Sequence, residues 1–196
     1  MPYYTKQQAR AAAQQSVRRS ATAFNSNQRL TEVLKSVSSQ QKFDVFLSHS
    51  IDDAELVLGV KEMLEQEGLK VYVDWDTDRH LSRNKVNKET AELLRVRMKQ
   101  SNSLIYIATD NSPNSKWMPW ELGYFDGLRT DCIGILPLQD SEGQAFQGQE
   151  YLSLYPIVSK GQYRDGTKEI FVENKGESWK SLKMFAQGGY SWQKYG

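Results

Sequence analysis

Residues 43–50 read Phe43-Asp44-Val45-Phe46-Leu47-Ser48-His49-Ser50, an apolar run that ends in two hydroxyls and an imidazole. A short run of β-branched and aromatic residues predicts a strand that is buried on both faces of a sheet. Its polar end would lie at the carboxyl edge of the sheet, where open α/β proteins bind their ligands. We therefore expect Ser48 and His49 to border a crevice.

Four further runs of this kind follow and alternate with helical patterns. They are Lys70–Trp75, Ser103–Ala108, Cys132–Leu138 and Tyr155–Ser159. This alternation predicts the fold class α/β, a doubly wound parallel five-stranded sheet, and five strands favour the flavodoxin-like order 2-1-3-4-5. The switch point between strands 1 and 3 predicts that the loops Ser48–Asp53 and Thr109–Trp117 line the site.

The segments on either side of this domain, residues 42–160, differ from it in composition. Residues 1–41 are polar and predict a basic, exposed helical extension. Residues 1–42 hold seven Lys or Arg and one acid, but these bases are spread along the whole segment, which favours a solvated helical face and argues against nucleic-acid binding. Residues 161–196 are predicted to be a C-terminal extension packed on or following the domain, with Glu169–Glu173 as a further strand candidate.

The composition of the whole chain restricts the cellular compartment and the kinds of catalytic site to be expected. Hydrophobic content of 39%, charged content of 25% and a net charge of +1 are typical of a globular protein, and no apolar run reaches the roughly 20 residues that span a bilayer. The single cysteine, Cys132, forms no intramolecular disulfide, so we expect a cytoplasmic protein without a membrane segment. No metal-ligand spacing, glycine-rich phosphate loop or Walker lysine is present.

A third helix is predicted to open near Pro119, and it places Trp117 and Glu121 four residues apart at the mouth of the crevice. The helix dipole stabilises Glu121 as an anion, and an indole beside it could stack on a planar cationic ring. The same spacing suits a structural glutamate and a core tryptophan, and spacing alone leaves the two interpretations even. Gly123 and Gly127 predict close packing of this helix on the sheet.

Three motifs resemble, in order, those of Toll/interleukin-1 receptor (TIR) domains. Phe43–Ser50 resembles the first conserved box, Val71–Trp75 resembles the second strand ahead of the BB loop, and Trp117–Glu121 resembles the W-x-x-x-E element. The resemblance implies the flavodoxin-like fold derived above. It also implies one of two roles, because many TIR domains are adaptors and others cleave the nicotinamide–ribose bond of NAD.

The W-x-x-x-E element implies the enzymatic role, that of an NAD nucleosidase or cyclase in bacterial, Thoeris-like anti-phage defence. NAD is then the substrate, no cofactor or metal is required, and Glu121 is the catalytic residue. The product is ADP-ribose or a cyclic or otherwise modified ADP-ribose, and the sequence does not choose between hydrolysis and cyclisation. The substrate-binding residues that the resemblance implies are Ser48, His49, Asp52, Asp76 and Trp117.

The resemblance also implies partners. Enzymatic TIR domains often build the NAD site between two protomers, so a homo-oligomer through the BB-loop region, Asp76–Lys85, is expected, with a separate effector reached through the nucleotide product. Two alternatives stay open. One is a non-catalytic TIR scaffold, in which charge reversal at Arg79 or Arg83 abolishes function and Glu121→Ala does not. The other is a nucleotide N-glycosidase or deoxyribosyltransferase of related fold.

Overall fold

The computed structural model describes residues 2–19, 42–73, 87–141, 144–146, 148–188 and 191–195. In these ranges the strands are β1 (Tyr4–Thr5), β2 (Phe43–Ser48), β3 (Val71–Val73), β4 (Ser101–Ala108), β5 (Ile133–Gln139), β6 (Ile157–Gln162), β7 (Lys168–Asn174), β8 (Ser178–Ser181) and β9 (Gln193–Lys194). The α-helices of the same ranges are α1 (Lys6–Arg19), α2 (Ala54–Gln66), α3 (Lys88–Lys99), α4 (Met118–Leu128) and α5 (Leu182–Ala186).

The described strands form one sheet in the order β3-β2-β4-β5-β6-β7-β8-β9, with β1 paired to β5. The first five strands of this order are parallel, so the predicted order 2-1-3-4-5 is confirmed. Strands β7 to β9 continue the sheet with antiparallel pairing. Each of the five predicted runs falls on a strand, although their bounds shift by a few residues.

Side chains of the central strands alternate between two core layers. Val45 and Leu47 belong to the layer that α1, α2 and α5 cover, whereas Phe46 belongs to the layer beneath α3 and α4. Successive side chains of a strand point to opposite faces, so a run that is apolar at every position requires cover on both. The doubly wound arrangement follows from this pattern.

The N-terminal helix is packed on the domain, and the expectation of an exposed helix was wrong for this part of the extension. Helix α1 lies along α2 and buries Ala9 and Ala13. A Cβ on Gly59 of α2 would come within 1.7 Å of the Ala9 carbonyl oxygen, so the two backbones touch. Small residues permit this contact without the large apolar side chains that reveal a buried helix in a sequence.

The residues before α1 complete the sheet. Tyr4 pairs with Leu138 at the end of β5, and the Lys160 N–H of β6 donates to the Pro2 carbonyl over 3.1 Å. Strands β5 and β6 pair directly only at Ile135 and Ile157. Strand β1 therefore fills the opening between their carboxyl ends.

The C-terminal extension adds strands to the sheet. The candidate Glu169–Glu173 lies within β7, and the remaining tail, which the sequence did not place, forms β8, α5 and β9. Gly123 and Gly127 are exposed with no atom within 4 Å of an added Cβ, so the predicted close packing is wrong, and nothing in the structure explains them. No helix among the described residues is long and apolar enough to cross a membrane.

Candidate active site

The glutamate of the W-x-x-x-E element lies in the first turn of α4. Pro119 shares this turn, where its fixed φ and missing N–H are tolerated, and the Glu121 N–H donates to the Trp117 carbonyl over 2.8 Å. The Glu121 side chain is only 1% exposed. The positive end of the helix dipole compensates part of the cost of holding a carboxylate in so dry a place.

Ser48, the last residue of β2, contacts Glu121 directly. Its Oγ donates a hydrogen bond to Glu121 Oε2 over 2.6 Å, and both side chains are buried. Such a charge-assisted bond is roughly twice as strong as one between neutral groups. The structure thus brings together the two residues that the sequence placed on one crevice, while their roles in binding and catalysis stay predictions.

Trp117 precedes α4 and is buried in the core layer beneath α3 and α4. Its ring packs edge-on against Trp120, with the ring centroids 5.5 Å apart. The indole Nε1 is buried and has no hydrogen-bond acceptor among the described residues. Trp117 is therefore a packed core side chain that also reaches the wall of a cavity.

That cavity has a volume of about 320 Å³ and opens between the loop after β2 and the loop before α4. Both loops that the switch point predicted contribute to it. Glu121 is not among the described residues that line it, so the carboxylate lies behind the wall. The lining residues are His49, Ser50, Ile51, Asp52, Asn114, Ser115, Lys116 and Trp117.

His49 is buried at the start of the loop after β2. Its Nδ1 lies 2.7 Å from the Leu47 carbonyl oxygen. A carbonyl oxygen only accepts, so Nδ1 carries the proton of this bond. The bond fixes the orientation of the imidazole in the cavity wall.

The two neighbouring aspartates of the same loop have different environments. Asp52 is exposed on the cavity wall, as expected for a residue that meets a ligand. Asp53 is 5% exposed and accepts hydrogen bonds from Thr109 Oγ1 over 2.6 Å and from Asn111 Nδ2 over 2.7 Å. It precedes α2 without capping it through its side chain. Asp53 instead joins the two loops that form the cavity.

Further bonds hold the loop after β4. Ser112 Oγ donates to the Ile107 carbonyl over 2.9 Å and accepts the Thr109 N–H over 2.8 Å. Lys6 of α1 forms ion pairs with Asp110, over 2.7 Å, and with Asp140, over 2.9 Å. Sequence reasoning missed this network, because no local motif shows that Asp53 and Asn111 meet. Polar residues in both predicted crevice loops were the available signal.

Tyr106 of β4 lies close enough to Glu121 for the carboxylate charge to affect the pKa of its phenol. Burial raises the pKa of the Tyr106 phenol far above its ordinary value, and the neighbouring Tyr151 and the charge of Glu121 act in the same direction. The phenol therefore stays neutral throughout the physiological range and adds no negative charge beside Glu121.

Asp76, the remaining predicted site residue, lies outside the described residues, as do Arg79, Arg83 and the whole segment Asp76–Lys85. Their predicted contributions to substrate binding and assembly stay predictions. In the parts of the chain that the structure describes, no group of three or more His, Cys, Asp or Glu side chains could hold a metal ion.

Comparison with known proteins gives two relatives. The chain is 42% identical over 170 residues to the "Probable 3' cyclic ADP-D-ribose synthase ThsB'" of Bacillus cereus (strain MSX-D12), a match that covers 84% of this chain and 88% of that protein. It is 30% identical over 109 residues to the "Putative cyclic ADP-D-ribose synthase TIR2" of Cytobacillus dafuensis, covering 55% of this chain and 29% of that protein. No protein-family model matches the chain.

Proposed function

The chain belongs to the bacterial, Thoeris-type family of TIR-domain cyclic ADP-D-ribose synthases, and from this membership we propose that it cleaves the nicotinamide–ribose bond of NAD with Glu121 as the catalytic residue. The observation that carries the proposal is the buried Ser48–Glu121 pair, held at the switch point by β2 and α4. The product is a cyclic ADP-ribose that serves as a defence signal to a separate effector protein.

The chemistry suits one carboxylate that remains ionised. The nicotinamide ring of NAD is cationic, so the bond electrons move to it on cleavage and it leaves as a neutral ring that needs no general acid. Positive charge then develops on the ribose, where the Glu121 anion stabilises an oxocarbenium-like transition state. The hydrogen bond from Ser48 and the start of α4 fix the carboxylate in this position beforehand.

The second step decides the product. If a hydroxyl of the same molecule attacks the anomeric carbon and loses its proton, the new bond closes a ring. If water attacks instead, the product is ADP-ribose. The ratio of the two depends on how well the site excludes water. The hydrogen bonds from Thr109 and Asn111 to Asp53, which join the two loops that form the cavity, support that exclusion.

The arrangement also supports completion of the site by a second copy. The cavity of about 320 Å³ lies at the small end of ligand pockets, which reach roughly 1,000 Å³, and Glu121 lies behind its wall. NAD can therefore reach the carboxylate only if the lining residues rearrange. In this proposal, formation of a homo-oligomer through Asp76–Lys85 causes that rearrangement. Specific activity that stays constant on dilution, with a monomer at every concentration, would refute this step.

The test of catalysis is incubation of the concentrated chain with NAD, followed by separation of the products by chromatography and mass spectrometry. Glu121→Gln should lower nicotinamide release on the order of 10²- to 10³-fold, since it removes the charge and keeps the shape. Glu89→Gln is the matched control, because Glu89 is an exposed carboxylate in the first turn of α3. It should leave the rate unchanged.

The same buried pair also fits a second function, that of a non-catalytic scaffold. The full burial of Glu121 and its bond to Ser48 would equally stabilise the junction of β2 and α4. Wild-type protein that releases no nicotinamide at any concentration, together with a cellular activity that survives Glu121→Gln, would establish the scaffold. Release of bases from nucleotides that lack nicotinamide would indicate an N-glycosidase.

A further inference from the structure

A second cavity, of about 580 Å³, opens at the same edge of the sheet as the candidate active site. Thr109 and Asp110, which follow β4, line one side of it, and Gln139, Gln144 and Phe146 line the other. The loop between β4 and α4 contributes to both cavities and separates them. The second cavity is therefore a neighbour of the first.

Gln139 is the most informative residue of this cavity. It ends β5 and is 9% exposed, yet its side-chain amide has no hydrogen bond to any described residue. Strand alternation places it on the face of Ile133 and Ile135, which is the face that α4 covers. The amide is not one of the fully buried polar groups that lack a partner; it reaches the cavity surface, where its donors and its acceptor can bond to whatever occupies the cavity.

The other lining groups suit a flat heteroaromatic ring. Gln144 and Gln149 line it beside Gln139; the Gln144 oxygen accepts the Asp140 N–H over 3.3 Å, which leaves the Gln144 NH₂ and the Gln139 amide for the edge of a purine. Phe146 supplies an aromatic face on which a base can stack. A Cβ on Gly148 would lie 2.4 Å from Phe146 Cζ, so the glycine makes room for the ring.

The charges of the cavity argue against a phosphate group. None of its described lining residues is a lysine or an arginine. The nearby Lys6 is already paired with Asp110 and Asp140. A neutral base with its ribose meets these groups better than a phosphate, and the volume falls within the range of roughly 300–1,000 Å³ that small-molecule sites occupy.

We infer that this cavity binds an adenosine moiety, with Gln139 hydrogen-bonded to the base and Phe146 stacked on it. The choice of adenosine among nucleosides rests on the proposed function, because NAD and its cyclic product both carry one. The moiety belongs either to the NAD molecule that reaches Glu121 or to a separate adenine nucleoside. Both sources present the same adenosine group to the cavity, and the kinetics of NAD cleavage distinguish them.

The experiment compares the full chain with Gln139→Leu and with Gln66→Leu, a matched control at an exposed glutamine of α2. Binding of adenosine is measured by calorimetry, and KM and kcat for NAD are obtained from nicotinamide release. Gln139→Leu should weaken adenosine binding about tenfold, the loss expected for one hydrogen bond to a buried group. Gln66→Leu should change nothing.

The kinetics then separate the two sources. If the cavity holds the adenosine end of NAD, KM rises about tenfold in Gln139→Leu with kcat unchanged, and adenosine inhibits the wild type competitively. If it holds a separate nucleoside, KM stays constant and adenosine does not compete. Phe146→Leu, which removes the stacking face, should show the same pattern and replaces Gln139→Leu if that variant fails to fold.

Two results would overturn the inference. Either no adenosine binds to the wild type, or it binds equally to wild type, Gln139→Leu and Phe146→Leu; the cavity then holds only water. Failure of the proposed function appears elsewhere, as nicotinamide release that Glu121→Gln does not reduce. Adenosine binding to the second cavity is measured without turnover and does not depend on that result.

Discussion

The parallel and antiparallel halves of the sheet both bury polar side chains, but they use them differently. In the parallel half, Ser48 bonds to Glu121 and Asp53 bonds to Thr109, so residues far apart in sequence meet at the carboxyl edge. In the antiparallel half, which we count from the β6–β7 hairpin to β9, Ser159 of β6 bonds to Glu173 of β7 within that hairpin. Convergence of separate segments at a switch point, rather than burial alone, therefore distinguishes a candidate site from a structural contact.

The largest expected effect on stability lies in the antiparallel half. Phe171 is buried and stacks on Trp179, with the ring centroids 4.5 Å apart. Phe171→Ala should lower the free energy of unfolding by about 3–5 kcal/mol, measured by urea denaturation, because it leaves a cavity in this cluster. Turnover of NAD per folded molecule should stay near the wild-type value. A large loss of turnover in fully folded protein would show that the two halves are not separable.

The serine–carboxylate pairs give the sharpest comparison, since each half has one. Ser48→Ala should lower nicotinamide release about 10- to 100-fold, because a hydrogen bond to a charged group contributes roughly 1.5–3 kcal/mol. Ser159→Ala removes the equivalent bond to Glu173 and should affect only the urea midpoint. Equal kinetic effects of the two variants would contradict the assignment of the site to the parallel half.

The bond between the two crevice loops should govern the product ratio. Asp53→Asn places an amide NH₂ against that of Asn111 and should reduce turnover about tenfold while raising the share of ADP-ribose, as water enters a looser site. The exchanged pair Asp53→Asn with Asn111→Asp restores one donor and one acceptor. It should recover the cyclic product in mass-spectrometric analysis, whereas a purely structural defect would lower both products equally.

The smallest expected effect is a pH dependence of the antiparallel half. Burial, with a 2.6 Å hydrogen bond from the phenol to Glu169, raises the pKa of Tyr163 from 10.0 to about 12. The protonated form is favoured in the folded state, so its contribution is complete below pH 10 and is lost as the pH rises towards 12. Tyr163→Phe should flatten the fall in urea stability across this window. Turnover at neutral pH should not change.

The central fold could be predicted because its signals are local. Val45–Leu47 is apolar at every position, which requires cover on both faces, and Gly68 adopts φ +81° just after α2, the helix that crosses from β2 to β3. The switch-point rule then places Ser48 near Glu121 without knowledge of any contact.

The remaining features depend on contacts between distant segments. Helix α1 packs through Ala9 against Gly59, and small residues give no hydropathy signal. Asp53 could be assigned to a crevice loop but not to its contacts, because its partners Thr109 and Asn111 lie more than 50 positions away in the sequence. The cavity that Gln139 lines is formed by the loop after β4 and the loop after β5, and no local pattern in the sequence shows that these two loops meet.

Strand β1 also has a consequence for the order of assembly. During translation Tyr4 is made 134 residues ahead of its partner Leu138. Lys160, whose N–H donates to the Pro2 carbonyl, is made later still. The residues around Tyr4 must therefore wait until both partners have been made, and pairing at this sequence separation is slow. Until then, the backbone groups at the carboxyl ends of β5 and β6 lack the partners that the segment around Tyr4 supplies.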